Sequence, residues 1–223
     1  MAITEAQLPA LQAQVLAAAF GLAAVFGAIG QRTRFCTMGA VSDIVAIGDW
    51  TRMRMWVLAI GTAMVGFNAM VAAGWIDAAD TFYAAPRVLW LSTLAGGALF
   101  GFGMVLASGC GSRTLVRIGG GNLKSLVVFC VLGIAAFATL RGITAVARVA
   151  SVDTVAFTLA TGQDLPSIVA GATGWSRGAL ALAVGGGLGL ALVAWALASP
   201  DGRSANTLLG GVGSGLVVVA VWW

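Results

Sequence analysis

The chain carries three cysteines, and the one with the most polar surroundings is Cys110. It lies within a run of small residues, Ser108-Gly109-Cys110-Gly111-Ser112, and Arg113 follows directly. The glycines let the backbone approach a ligand and adopt positive φ, and the two serines add hydroxyl donors. A short helix beginning here would direct its N-terminal amides at the same point, which makes an anion site. This segment is therefore predicted to bind a small anion through amides, hydroxyls and a thiol.

Cys36 has a related setting. Arg34 lies two residues before it, and Thr37 and Gly39 follow. Cys130 differs, because it lies in an apolar run without polar neighbours. A free cysteine in a membrane helix often acts as a small hydrophobic residue, and this interpretation fits Cys130 best. Cys36 and Cys110 are the stronger candidates for chemistry.

Other kinds of site are excluded by residue type. The sequence contains no histidine, which excludes Cys/His zinc sites, His-ligated haem and Cys–His or Ser–His catalytic pairs. It also contains no C-x-x-C pair, phosphate-binding loop, paired acid–base carboxylates or metal-ligand cluster, so no cofactor and no resident metal are predicted. Ion-coupled pumps usually place a carboxylate inside the membrane. The eight acidic residues are scattered outside the confident spans, which favours passive or differently driven transport.

The elements that position these cysteines are predicted to be membrane helices. The chain is 60% hydrophobic and 9% charged, whereas a soluble domain needs roughly 25% charged residues. The net charge of +4 is spread between apolar stretches, as in membrane loops, so the predicted partner is a lipid bilayer and not a nucleic acid. The fold class is therefore an all-α, polytopic membrane helix bundle.

Six stretches approach the roughly 20 apolar residues that a spanning helix needs. They are about 8–30, 55–75, 88–107, 123–141, 179–198 and 207–223. We expect one transmembrane domain over 1–223. Because the chain stops inside its last apolar stretch, at Trp223, we expect it to be the N-terminal part of a longer permease. Glycines 97, 101, 103, 185, 186, 187 and 189 are interpreted as helix-packing positions.

Two further stretches, about 35–48 and about 110–119, are too short to span, and each lies between two spans. Their length favours short re-entrant helices, and each carries a candidate cysteine. The order of span, short helix and span occurs twice, which is typical of a transporter's binding site. Chance similarity between two Gly-rich segments is the alternative.

Arg and Lys residues surround both short segments, whereas the loop with Asp77 and Asp80 carries only Arg87. The basic loops are therefore predicted to be cytoplasmic, with the N-terminus outside. The stretch 142–178 then falls outside, as an interfacial loop or surface helix.

The residues around both cysteines resemble the YeeE/YedE family of sulfur-transport membrane proteins, which includes thiosulfate permeases. The similarity lies in Gly101-Phe102-Gly103, in Ala107-Ser108-Gly109-Cys110-Gly111-Ser112, and in Arg34-Phe35-Cys36 with Gly39-Ala40. The resemblance implies an hourglass-shaped bundle of inverted-repeat halves, with short helices that meet at the waist and thiols that line the substrate path. It implies that Cys36 and Cys110 are two of these thiols, and that the third belongs to a C-terminal half absent from this chain. Arg113 stands where many members carry a different polar residue, which leaves the exact substrate open.

The predicted function is transport, not catalysis: uptake of thiosulfate or a related inorganic sulfur anion across the bacterial inner membrane. The predicted path residues are Cys36, Cys110, Gly109, Gly111, Ser108, Ser112, Arg34 and Arg113. A dianion with a soft sulfur end suits arginines at the mouths and weakly polar thiols at the constriction, since conduction needs modest binding at each site. Two alternatives stay open. One is a membrane sulfurtransferase that passes persulfide sulfur to a cytosolic sulfur-carrier protein, and the other is a non-transporting membrane scaffold subunit.

Overall fold

The computed structural model describes residues 8–78, 81, 85–160 and 162–222. Trp223, which ends the last predicted span, and Asp80, in the predicted outer loop, lie outside the described residues. The helices in chain order are α1 (Leu8–Thr33), α2 (Thr37–Ile47), α3 (Thr51–Ala72), α4 (Trp90–Leu106), α5 (Gly111–Gly119), α6 (Leu123–Arg141), α7 (Ile143–Ala150), α8 (Leu165–Thr173), α9 (Arg177–Leu197) and α10 (Ala205–Trp222). Within α9 and α10 the turns at Ala181–Gly186 and Leu209–Gly213 are π-helical.

The all-α prediction is confirmed. Six helical stretches of the described chain are long and apolar enough to cross a membrane, judged by length and composition. Strand structure in the described residues is confined to two residue pairs, β1 (Arg87–Val88) and β2 (Phe157–Thr158), which pair antiparallel. This pairing joins the loop before α4 to the segment between α7 and α8.

Helix α3 is the centre of the packed core. It contacts α2, α9 and α10, and its Leu58 and Met55 side chains are fully buried. A Cβ added to Gly61 would lie 2.8 Å from the Gly189 carbonyl oxygen, and one added to Gly189 would lie 3.0 Å from that of Gly61. Because neither residue has a side chain, α3 and α9 approach backbone to backbone, as small residues allow in membrane bundles.

The packing role predicted for glycines holds at Gly185 and Gly189, where an added Cβ would collide with α3. It is wrong for several others within the described chain, because an added Cβ would meet no atom within 4 Å at Gly97, Gly101, Gly103 and Gly187. An added Cβ at Gly186 would make only an ordinary 3.8 Å contact with Leu182 of its own helix. The reason at the first three positions is that α4 lies at the edge of the bundle and presents most of its surface outward.

Large apolar side chains cover the outside of the bundle. Phe20 of α1, Leu99 of α4 and Ile134 of α6 are 78%, 73% and 71% exposed. A surface of this kind is unfavourable in water but matches lipid, where helices satisfy their own backbone hydrogen bonds. The chain is therefore a multi-pass membrane protein.

Polar groups gather at the two ends of the bundle. At one end, the Arg54 guanidinium at the start of α3 donates to the Trp195 carbonyl oxygen at 2.9 Å and lies 4.6 Å from the centre of its ring. At the other end, Arg87 donates to the Asp153 carbonyl oxygen at 2.9 Å, and Arg148 forms an ion pair with the Asp153 carboxylate at 2.9 Å. The stretch predicted as an interfacial loop or surface helix contains α7, α8 and a short 3-10 turn at Val152–Thr154.

Candidate functional site

Two buried cysteines from distant parts of the chain meet inside the bundle. Cys36 is 2% exposed and Cys110 is 6% exposed. Their Sγ atoms are 3.6 Å apart although 74 positions separate them in sequence. Both are free thiols, so this is an S–H···S contact and not a disulfide.

Each thiol sits at the N-cap of a short helix. Cys36 precedes α2 and Cys110 precedes α5, and both cap residues have extended backbone conformations. At 1.5 Å per residue the two helices are about 16 Å and 14 Å long, roughly half of a bilayer core. The N-termini of both helices therefore converge on the thiol pair, and their partial positive charges favour an anion there.

Hydrogen bonds around the thiols differ between the two helices. The Gly39 amide of α2 donates to Cys36 Sγ at 3.5 Å, which gives α2 a side-chain cap. Cys110 Sγ contacts the Ser112 hydroxyl at 3.2 Å and makes no such cap bond. No side-chain cap hydrogen bond closes the N-terminus of α5, and the first amides of a helix can donate to a bound anion.

The same backbone turn brings each cysteine into place. Arg34 and Ser108, each two residues before a cysteine, have φ of 56° and 54°. Among the described residues these are the only non-glycine positions with positive φ. That conformation is strained for a residue with a side chain, and such strain is concentrated at functional sites. The two units thus share a geometry that their weak sequence similarity only suggested.

The glycines and the serine predicted around Cys110 lie in the turn that precedes α5 and at its start. Gly109 is buried, and an added Cβ would contact Arg113 Cδ at 3.6 Å and Arg117 Nη1 at 3.7 Å. Gly111 faces open space, since no atom lies within 4 Å of an added Cβ. The carbonyl oxygen of Ser108 accepts from Arg117 Nη1 at 3.2 Å, whereas its hydroxyl makes no hydrogen bond with the described residues. Ser108 therefore contributes its backbone carbonyl to this turn, and a donor role of its hydroxyl towards a ligand stays a prediction.

The two predicted arginines share a cavity with two others. Arg34 and Arg113 line a cavity of about 250 Å³ together with Arg52 of α3 and Arg117 of α5. Sequence reasoning missed Arg52 and Arg117 as site residues. The position of Arg117 four residues after Arg113, on the same helix face, could have indicated it. No sequence pattern indicated Arg52, because only the packing of α2 against α3 brings this residue to the cavity.

An apolar cavity of about 510 Å³ lies beside the arginines, between α1 and α5. Phe26 and Phe35 form part of its wall, and Ser112 lines it as well. Phe35 stacks on Trp56 with ring centres 4.6 Å apart, which holds the residue next to Cys36 in place. The third cysteine, Cys130, is exposed on α6 and lines neither of these two cavities.

Fold and site together define a class: a multi-pass α-helical membrane protein with two thiol-capped short helices that meet at a buried point. The family model described as "Sulphur transport" matches residues 32–223. The chain belongs to this family, and the YeeE/YedE family predicted from the cysteine motifs is confirmed.

Curated relatives are similar over about half of the chain. The thiosulfate transporter TsuA of Escherichia coli is 35% identical over 104 residues, which are 47% of this chain and 28% of the relative. TsuA of Spirochaeta thermophila is 30% identical over 119 residues, 53% of this chain and 34% of the relative. The probable transporter YedE of Salmonella typhimurium is 29% identical over 104 residues, 46% of this chain and 23% of the relative. The chain thus spans about a third or less of these relatives' lengths, and no solved structure gives a significant match.

Proposed function

We propose that this protein takes up thiosulfate or a related inorganic sulfur anion across the bacterial inner membrane, with Cys36 and Cys110 in the substrate path. The observation that carries the proposal is the pair of buried thiols, 3.6 Å apart, at the facing N-termini of two short helices. The family and the names of the TsuA relatives support the same substrate class.

The chemistry of the pair suits such a substrate. The helix N-termini attract the negative charge, while the thiols are weak hydrogen-bonding groups that match a soft terminal sulfur. A fixed cation at the same point would hold a dianion tightly, and conduction requires weak binding at each step. Here the guanidinium groups line a separate cavity and not the thiol contact itself.

The test replaces the thiol at Cys110. We expect Cys110→Ala to reduce uptake of radiolabelled thiosulfate in cells at least tenfold, because it removes the sulfur contact at the buried point. Cys110→Ser keeps a hydroxyl in place of the thiol and should fail equally if sulfur is required. Cys130→Ala is the matched control, since this cysteine is exposed on α6, and it should transport normally. Normal uptake by properly inserted Cys110→Ala would refute the role of the thiols.

The pair of neighbouring thiols also favours one second candidate, the membrane sulfurtransferase. In that reaction a thiolate attacks the outer sulfur of thiosulfate, the S–S bond breaks, sulfite leaves and a persulfide remains for transfer to a carrier protein. Mass spectrometry after incubation with thiosulfate distinguishes the two: a gain of one sulfur on Cys36 or Cys110 supports transfer, and unmodified thiols support passage of the intact anion. Thiosulfate uptake into liposomes that contain only the purified protein would exclude the scaffold role.

A further inference from the structure

The four arginines of the 250 Å³ cavity form a second feature that transport by thiols does not explain. Arg34, Arg52, Arg113 and Arg117 come from three different segments and converge on one space, with Gln31 beside them. Neither cysteine lines this cavity. We call these four residues and the space between them the arginine pocket.

Contacts with the chain hold two of the arginines in position. An added Cβ on Gly39 would lie 2.5 Å from Arg52 Nη1, so the glycine leaves room for that guanidinium against the start of α2. Arg117 is oriented by its hydrogen bond to the Ser108 carbonyl oxygen at 3.2 Å. The arginine pocket is thus tied to both cysteine segments, because Gly39 follows Cys36 by three residues and Ser108 precedes Cys110 by two.

The pocket carries an excess of positive charge. Asp43 pairs with Arg52 at 3.1 Å. Arg34 and Arg113 have no ion pair or hydrogen-bond partner among the described residues. Guanidinium groups are planar donors that fit the oxygens of carboxylates, phosphates and related oxyanions. A pocket with two unpaired guanidiniums and two oriented ones therefore has the chemistry to bind an inorganic oxyanion.

We propose that the arginine pocket is an oxyanion-binding site, separate from the thiol pair. It recognises the charge and the arrangement of the oxygen atoms of an anion but not its sulfur. It should accept sulfate as well as thiosulfate, and selection for sulfur then falls to Cys36 and Cys110. The role of the arginine pocket in transport rests on the proposed function, whereas its affinity for an oxyanion does not.

The arginine pocket lies next to the apolar cavity. The arginine pocket and the 510 Å³ apolar cavity share Gly30, Gln31, Phe35 and Val116 in their walls. The apolar cavity also reaches Ser112, whose hydroxyl lies 3.2 Å from Cys110 Sγ. The arginine pocket and the thiol pair therefore border the same apolar cavity, the pocket through shared wall residues and the thiols through Ser112.

The experiment measures equilibrium binding of radiolabelled sulfate to the purified protein in a nonionic detergent, at an ionic strength fixed with chloride. We expect saturable binding, and about tenfold weaker binding in Arg113→Gln, because a charge-assisted hydrogen bond is lost. Arg113→Lys keeps the positive charge but lacks the planar guanidinium with its paired donors, and it should bind sulfate with intermediate affinity. The matched control is Arg32→Gln, two residues from Arg34 and outside the pocket lining, and it should bind as the unchanged protein does.

Three results would overturn the assignment. The first is the absence of saturable sulfate binding, and the second is an equal loss in Arg32→Gln, which would show a general charge effect. The third is displacement of sulfate by micellar phosphatidylglycerol at lower concentration than by thiosulfate, which would assign the arginines to a lipid headgroup.

A cysteine variant separates this inference from the proposed function. In Cys36→Ser/Cys110→Ser we expect sulfate binding to be unchanged and thiosulfate uptake to be lost. Loss of sulfate binding in this variant would show that the arginine pocket and the thiol pair are not separate sites, and would overturn the inference. Retained uptake together with retained sulfate binding would instead contradict the role of the thiols in the proposed function, while the oxyanion site in the arginine pocket would still be supported.

Discussion

At the scale of single residues, the two turns that precede the cysteines combine strain with chemistry. Arg34 and Ser108 adopt φ of 56° and 54°, a conformation that disfavours residues with a side chain by roughly 1–2 kcal/mol. The surrounding packing must offset that cost for the thiols to meet. The side chain at each position is therefore constrained by the backbone before any role towards substrate is considered.

Ser108 allows the backbone and hydroxyl roles to be told apart. Ser108→Gly removes the hydroxyl and relaxes the positive φ, so we expect uptake within about twofold of normal and equal or higher stability. Ser108→Val places a β-branched side chain at the same φ and should lower the free energy of unfolding by about 1–3 kcal/mol. Thermal unfolding in detergent and thiosulfate uptake measure the two effects. A Ser108→Gly protein that folds but does not transport would show that the Ser108 hydroxyl is needed in the substrate path.

At the scale of elements, the residues themselves predicted the kind and order of helices, whereas the meeting of the short helices was implied only by the family resemblance. Short helices were expected near 35–48 and 110–119, and α2 and α5 occupy 37–47 and 111–119. Local signals suffice for such placement, because Gly48 and Gly121 adopt the positive φ that ends each segment. The contact between Cys36 and Cys110 is different, since it depends on tertiary packing between segments that are 74 positions apart. Arg52 joins the site for the same reason.

The backbone contact between α3 and α9 gives a prediction at this scale. In Gly189→Ala the new Cβ would lie 2.8 Å from Val65 Cγ2 and 3.0 Å from the Gly61 oxygen. The helices must move apart, so we expect a loss of about 1–3 kcal/mol of stability. Gly187→Ala is the control on the same helix, because no atom lies within 4 Å of its added Cβ. It should be neutral or slightly stabilising, as Ala favours helix over Gly by about 1 kcal/mol. Thermal unfolding in one detergent compares the pair, and equal effects of both substitutions would contradict the packing argument.

At the scale of the whole molecule, the bundle separates its charges so that arginines concentrate at one end. Arg34, Arg52, Arg113 and Arg117 meet in one cavity, and Arg203 lies at the same end, where its Nε donates to the Leu197 carbonyl oxygen at 2.7 Å. The opposite end holds Asp77, Asp164 and Arg177 around another cavity. The distribution of Lys and Arg orients membrane proteins with the basic end in the cytoplasm. The arginine pocket is thus expected on the inner face, where an imported anion would be released.

This orientation can be tested by labelling from outside the cell. We expect Ser176→Cys, at the exposed residue before α9, to react with a membrane-impermeant maleimide in intact cells, because it lies at the end opposite the arginines. Asn206→Cys, exposed in the first turn of α10, should react only after the membrane is permeabilised. Both substitutions are made in Cys130→Ala, with the buried Cys36 and Cys110 retained, and that parent protein gives the background. Labelling of Asn206→Cys in intact cells, with Ser176→Cys protected, would invert the orientation and make the arginine pocket the entry site for the anion.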